Sequence, residues 1–232
     1  RALTGSVRYI VSAPPVTCSY SWVTQTSGTT SLLYSVKAVS NLIGWASGAA
    51  GTIRRTIDGG ATWTNGNPNP GVITGDVYNI EAIDANTAWC TTSPGATFIY
   101  KTTNGGTNWV QVYTIAGGFI NAIKMTSPTV GIATGDVLAG VWLILGTTNG
   151  GTNWTQINVG GSFFLTALSF IDMNTGWVSG GPLKIMKTTN NGVNWVSQSD
   201  YTTYTYSSIH MANANTGFAA DYFQRIVKTT NG

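Results

Sequence analysis

The chain has 232 residues, of which 8% are charged, against roughly 25% in an ordinary soluble domain. Eleven basic and eight acidic side chains leave a formal charge of +3, too few and too scattered for a nucleic-acid binder that must neutralise a run of phosphates. A composition that is 42% hydrophobic and 11% aromatic excludes disorder, and its preference for Thr, Val, Ile, Tyr and Trp over Ala, Leu, Glu and Lys excludes a helical bundle.

From the N-terminus, residues 1–19 form an extension before any repeat. They begin with Arg1 and carry no pattern of charged and apolar regions typical of a signal peptide, so they are expected to belong to a processed or trimmed product. No run reaches the ~18 apolar residues that span a bilayer, so no membrane insertion is expected. Cys18 and Cys90 form neither a disulfide framework nor a zinc site. Ser21-Trp22-Val23-Thr24-Gln25 then reads as a strand.

A repeat governs everything after it. Its box is Thr, any residue, Asp or Asn, a Gly-rich pair, two residues, Trp. It occurs as TIDGGATW (Thr56–Trp63), TTNGGTNW (Thr102–Trp109 and Thr147–Trp154) and TTNNGVNW (Thr188–Trp195), with TTNG (Thr229–Gly232) as the fifth copy. The box starts lie 46, 45, 41 and 41 residues apart, the length of one four-stranded propeller blade. Upstream of each box come a short apolar alternation (such as Ile80-Glu81-Ala82-Ile83), a turn, and a small residue followed by an aromatic or branched one, as in Gly44-Trp45 and Gly176-Trp177. Each period therefore predicts strands a, b, c, the box turn, and strand d, with blades over about 34–66, 78–112, 119–157, 163–198 and 205–232.

The Asp or Asn of the box (Asp58, Asn104, Asn149, Asn190, Asn231) suits a turn in which its side-chain oxygen accepts backbone N–H groups. The Trp (Trp63, Trp109, Trp154, Trp195) suits packing between sheets. Trp22-Val23 matches the strand d starts Trp109-Val110 and Trp195-Val196, so the expected fold is an all-β propeller of five blades, residues 20–232, with strand 20–25 completing the last blade. That closure would leave no free sheet edge. A degenerate c–d hairpin of an earlier blade, spanning Val7 to Thr24, is the alternative reading.

The T-x-[DN]-G-G-x-x-W boxes resemble the Asp-box repeat of bacterial neuraminidases. The segment IGWASGAAGTIRRTIDGGATW is similar to the photosystem II assembly-factor-like propellers, a group that includes secreted bacterial proteins. The resemblance covers residues 20–232 and implies a propeller; it does not imply an activity, because the same boxes occur in sialidases, xyloglucanases, receptors and assembly factors. A sialidase needs an arginine triad, and Arg1, Arg8, Arg54, Arg55 and Arg225 do not supply one on this pattern. The only Glu is Glu81, on a predicted inner strand.

Residues that leave the repeat are the candidate site. Trp142, beyond the expected long b–c loop that carries Asp136, either stacks on a ligand or begins strand c in the core. Tyr222 and Phe223 (a b–c loop) and Tyr201 and Tyr204 (a d–a loop) would complete an aromatic rim, or cap blade edges. Asp76, Asp136, Asp200 and Asp221 share the face opposite the boxes, where a glycosidase pair would need ~5–9.5 Å of separation. Arg55, Lys101, Lys187 and Lys228 precede four of the five boxes, and form either a basic ring for an acidic partner or a set of solubilising strand ends. The lone His210 reads as a packed histidine. The expected function is a non-catalytic, exported module (extracellular, cell-surface or periplasmic) that binds a protein partner in an assembly, with no cofactor and no metal. A lectin-like glycan binder is the alternative, and a glycoside hydrolase the third reading.

Overall fold

The computed structural model describes residues 22–69, 71–138, 141–157, 164–181, 184–198 and 205–232. It holds five antiparallel sheets in chain order and no helix among the described residues. The first is β1 (Leu33–Ala38), β2 (Gly44–Gly48), β3 (Ile53–Thr56) and β4 (Thr64–Asn65). The second is β5 (Val77–Ala82), β6 (Ala88–Thr92), β7 (Ala96–Thr102) and β8 (Val110–Ala116). The third is β9 (Ile120–Met125), β10 (Gly131–Leu138), β11 (Val141–Thr147) and β12 (Thr155–Gln156). The fourth is β13 (Phe164–Phe170), β14 (Gly176–Gly181), β15 (Lys184–Thr188) and β16 (Val196–Ser197). The fifth is β17 (Tyr206–Met211), β18 (Gly217–Asp221) and β19 (Ile226–Thr229). Each sheet is an up-and-down meander, and the chain is an all-β propeller.

The first strand of each sheet packs on the first strand of the next (β1 on β5, β5 on β9, β9 on β13, β13 on β17), so these strands converge. The second strand is covered on both faces: β2, β6 and β14 are buried along their whole length. That explains why Gly-Trp-Ala-Ser-Gly and Ala-Trp-Cys-Thr-Thr show no polar alternation. The short fourth strands β4, β12 and β16 are exposed at the rim. They begin one residue after the box Trp.

The core is built between sheets rather than within them. Trp45 and Ile53 of the first sheet join Val77, Ile80, Tyr100 and Trp109 of the second. Trp109 meets Trp45 edge-on, with ring centroids 6.3 Å apart, and donates its indole N–H to the Gly66 carbonyl at 2.8 Å. Trp154 packs with Trp89 and Ile99 of the second sheet, and Trp195 against Ile132 and Ile144 of the third, both without the indole hydrogen bond that Trp109 makes.

The expected completion of the last blade by the N-terminal strand is not formed. The fifth sheet has three strands, and Trp22–Gln25 lie outside any strand. Gln25 instead holds the first box, accepting the Trp63 indole N–H at 3.0 Å and donating to the Gly59 carbonyl at 3.2 Å. The physical reason is local: among the described residues, two hydrogen bonds tie this segment to the first sheet and none joins it to β19. The Val7–Thr24 hairpin alternative lies almost wholly outside the described residues.

Candidate functional site

The first four boxes share one set of bonds. In the first, Asp58 Oδ1 accepts from the Thr62 N–H (2.9 Å) and the Thr56 hydroxyl (2.8 Å), while Thr56 Oγ1 accepts from the Gly60 N–H (2.9 Å). Asn104, Asn149 and Asn190 accept in the same way from Asn108, Asn153 and Asn194. Asn231 accepts from the Thr229 hydroxyl at 3.1 Å. The turn runs through left-handed backbone, and the fourth box replaces the first glycine by Asn191 at φ 55°, a conformation that Asn tolerates better than most residues. Hydrogen bonds from the Thr62 hydroxyl and N–H hold the Asp58 carboxyl down to about 2.

The four cations before the boxes do not form a free ring of charge. Each lies over the aromatic face of its cross-strand partner on the second strand: Arg55 over Trp45 at 5.6 Å, Lys101 over Trp89 at 5.5 Å, Lys187 over Trp177 at 4.8 Å and Lys228 over Phe218 at 5.8 Å. Cross-strand residues share a face, which places the cation against the negative face of the ring. Partial burial lowers the Lys101 pKa. In the third sheet both members of the pair change together, to Ile132 opposite Gly146.

The acids are equally committed. Asp76 accepts from the Tyr34 hydroxyl and the Ala50 N–H, and Asp136 from the Asn121 amide at 2.8 Å. Asp221 accepts from the Phe223 and Arg225 N–H groups and pairs with the Arg225 guanidinium at 3.1 Å. Asp136 is not in a long loop: β10 extends to Leu138 and β11 starts at Val141, so the expected loop is two extended strands. Asp200, Tyr201 and Tyr204 lie outside the described residues, as do the side chain of Trp142 and Cys18. Cys90 is a buried free thiol, and burial raises its pKa. Tyr222 and Phe223 are exposed on the turn after β18. His210 is exposed rather than packed, on the face it shares with its cross-strand partner Phe218.

Two features on the converging strands escaped the sequence reading. Where the sheets meet, Glu81 of β5 is buried and pairs with Lys37 of β1 at 2.7 Å, with Lys124 of β9 beside it. Burial lowers the Lys124 pKa, Glu81 opposes this, and Lys37 adds to it. On the face opposite the boxes, Tyr34 stacks on Tyr78 (centroids 5.7 Å), and Tyr78 meets Phe119 edge-on (4.7 Å). This aromatic ladder spans three sheets, with Asp76 hydrogen-bonded to its outer member. Each of its residues sits at or before the start of a first strand; the aromatic at that point in the repeat was the available signal.

Together, the fold and the boxes define a repeat-built β-propeller, with an aromatic ladder on the face opposite the boxes and no unengaged carboxylate among the described residues. The comparisons with known proteins agree with this class. Residues 29–133 match the family described as photosynthesis system II assembly factor YCF48. An 84-residue stretch, 36% of this chain, is 32% identical to the photosystem II assembly lipoprotein Ycf48 of Synechococcus sp. (strain CC9902) and covers 24% of that protein. Among solved structures, YCF48 bound to D1 peptide superposes with a TM-score of 0.64 at 18% identity, covering 86% of this chain and 65% of that one. An ancestral GH74 enzyme superposes at 0.66 and 16% identity, covering 92% of this chain and 33% of that one. The chain thus spans less than two thirds of these relatives. At such identities the structural likeness is one of fold, and the fold carries both a binding protein and an enzyme. The similarity to the assembly-factor propellers, read from the boxes, holds over the matched segment.

Proposed function

We propose that this chain is a non-catalytic, exported propeller module that binds an extended segment of a protein partner across the Tyr34–Tyr78–Phe119 ladder. One observation carries the reading. All seven described carboxylates (Asp58, Asp76, Glu81, Asp84, Asp136, Asp172 and Asp221) accept hydrogen bonds that build boxes, turns and strand contacts. Their oxygens are engaged in holding the scaffold, and no two of them are set facing each other across an open cleft as a glycosidase pair would be. The ladder, in contrast, is partly exposed and offers large rigid rings beside a hydrogen-bonded carboxylate, the chemistry of a protein-binding anchor. The solved YCF48 structure with a D1 peptide supports a peptide as the ligand class, and the lipoprotein relative supports export. A glycan is the second reading, because stacked tyrosines also suit a sugar ring.

The test is binding of a labelled D1 peptide, followed by fluorescence anisotropy. Saturable binding that weakens at least tenfold in Tyr34→Ala, with an unchanged melting temperature, is the expected result. Failure of the peptide together with Tyr34-dependent binding of a xyloglucan oligosaccharide would turn the assignment to a lectin. Hydrolysis of that oligosaccharide would overturn the non-catalytic reading.

A further inference from the structure

The first strand of every sheet carries a β-bulge at the same step of the repeat, and the extra residue is Tyr34, Tyr78, Asn121, Thr166 and Ser207 in turn. A bulge re-aims the side chain it inserts. In the last three sheets that residue is short and polar and bonds to a neighbouring strand. Asn121 donates to the Asp136 carboxylate and the Leu165 carbonyl, Thr166 to the Ser179 and Tyr206 carbonyls, and Ser207 to the Ala220 carbonyl. In the first two sheets it is a tyrosine, and the two rings stack on each other instead. The ladder is thus a departure from a position the repeat otherwise uses for strand contacts.

The same face departs from the repeat again, in charge. Asp76 stands just before β5, where Leu32 and Phe119 stand just before β1 and β9. Asp136 stands where the first sheet has Ala49, since Ala49 and Asp136 donate their N–H groups to the Leu32 and Phe119 carbonyls. Asp136 is therefore fixed beside Phe119 at one end of the ladder, and Asp76 accepts the Tyr34 hydroxyl at the other. That hydrogen bond raises the Tyr34 pKa and keeps the phenol a neutral donor. Neither carboxylate has a cationic partner among the described residues. The described cations of these three sheets lie elsewhere. Lys37, Arg55, Lys101 and Lys124 stand opposite Trp45, Trp89 or Ile132, one step from the box end of each second strand. Arg54 donates to the Ser27 and Trp63 carbonyls.

Ring faces are negative, and a carboxylate at each end of the ladder adds full charge of the same sign, so the surface is complementary to a cation. Resting on the ladder as the binding face, we propose that the segment it holds carries a lysine or arginine side chain, whose stem lies on the rings and whose cationic head bonds to Asp76 or Asp136. Arginine suits the site better, because its planar guanidinium stacks on a ring while it bonds a carboxylate. The formal charge of the chain is +3, which disfavours a cationic ligand elsewhere on the surface and makes the attraction local to this face.

The test is fluorescence anisotropy, at low ionic strength, of a labelled oligo-arginine peptide and the matching oligo-citrulline peptide, which keeps the side-chain shape and removes the charge. The arginine peptide is expected to bind saturably and roughly tenfold more tightly, the effect of one charge-assisted hydrogen bond. The double variant Asp76→Asn, Asp136→Asn, with an unchanged circular dichroism spectrum, should bind the two peptides alike. Asp172→Asn should keep the preference: Asp172 accepts two N–H groups in the turn after β13 as Asn213 does in the turn after β17, so only a remote charge is removed. Equal affinity for both peptides, lost in Tyr34→Ala, would overturn the charge preference and leave the ladder as the binding face. Carboxylate-dependent binding that survives Tyr34→Ala would overturn the ladder reading and this proposal with it. No binding of the arginine peptide, or a preference that persists in the double variant, would also overturn the proposal.

Discussion

At the scale of single residues, the box shows how one side-chain oxygen organises a turn. Asp58 and its counterparts Asn104, Asn149 and Asn190 accept the same Thr hydroxyl and backbone N–H, and only Asp58 carries a charge and accepts a second hydroxyl, that of Thr62. Because the Asp58 carboxyl is held at about 2, below its ordinary value, its folded state binds protons less readily than its unfolded state. Stability from this group is present above the usual carboxylate range and is lost as pH falls toward 2. Thermal melts of Asp58→Asn should therefore show a weaker loss of melting temperature between pH 4 and pH 2 than the wild type. An identical acid profile would show that the carboxylate is not linked to folding. The cations follow the same logic of pairs. Trp45 with Arg55, Trp89 with Lys101 and Trp177 with Lys187 are cross-strand neighbours, and Ile132 with Gly146 lacks both ring and charge. Only the cross-strand register shows that pairing; in the sequence the cations read either as a ring for an acidic partner or as solubilising strand ends.

At the scale of elements, a sheet here is not a stable unit. Its second strand has two apolar faces, and the neighbouring sheets cover both. Trp109 ties the first two sheets together: it is buried between them, meets Trp45 edge-on and hydrogen-bonds across to Gly66. Trp109→Ala should destabilise the chain by ~3–5 kcal/mol in urea unfolding. A change below ~1 kcal/mol would remove the inter-sheet role assigned to it. The strand order and the box turns were legible, because a 41–46 residue period with a fixed Trp leaves little freedom. The extent of β10 and β11 was not legible. Asp136 looked like a loop residue, and only its bond to Asn121 on the neighbouring strand shows why extended structure continues there.

At the scale of the whole molecule, the converging first strands bring charges together that are far apart in sequence. Lys37, Glu81 and Lys124 come from three sheets; Glu81 pairs with Lys37 and opposes the burial that disfavours the charge of Lys124. Glu81→Gln should destabilise by ~1–3 kcal/mol, since it leaves two cations facing each other. The Lys124 pKa is lowered in the fold, so the unfolded chain binds more protons and stability rises with pH through that region. The variant should accordingly recover part of its deficit at alkaline pH. A deficit independent of pH would indicate lost packing alone.

The sequence by itself determined the propeller, the phase of its strands, the chemistry of the box and the scarcity of free acids. All of these follow from local turn preferences and a strict period, which one chain displays without any knowledge of long-range contacts. Three matters were decided only by tertiary structure: the assembly of Tyr34, Tyr78 and Phe119 into one ladder, the burial of the cations on aromatic faces, and the attachment of Trp22–Gln25 to the first sheet instead of the last. Each depends on which sheet lies beside which, and a repeat that makes every interface look alike does not carry that information.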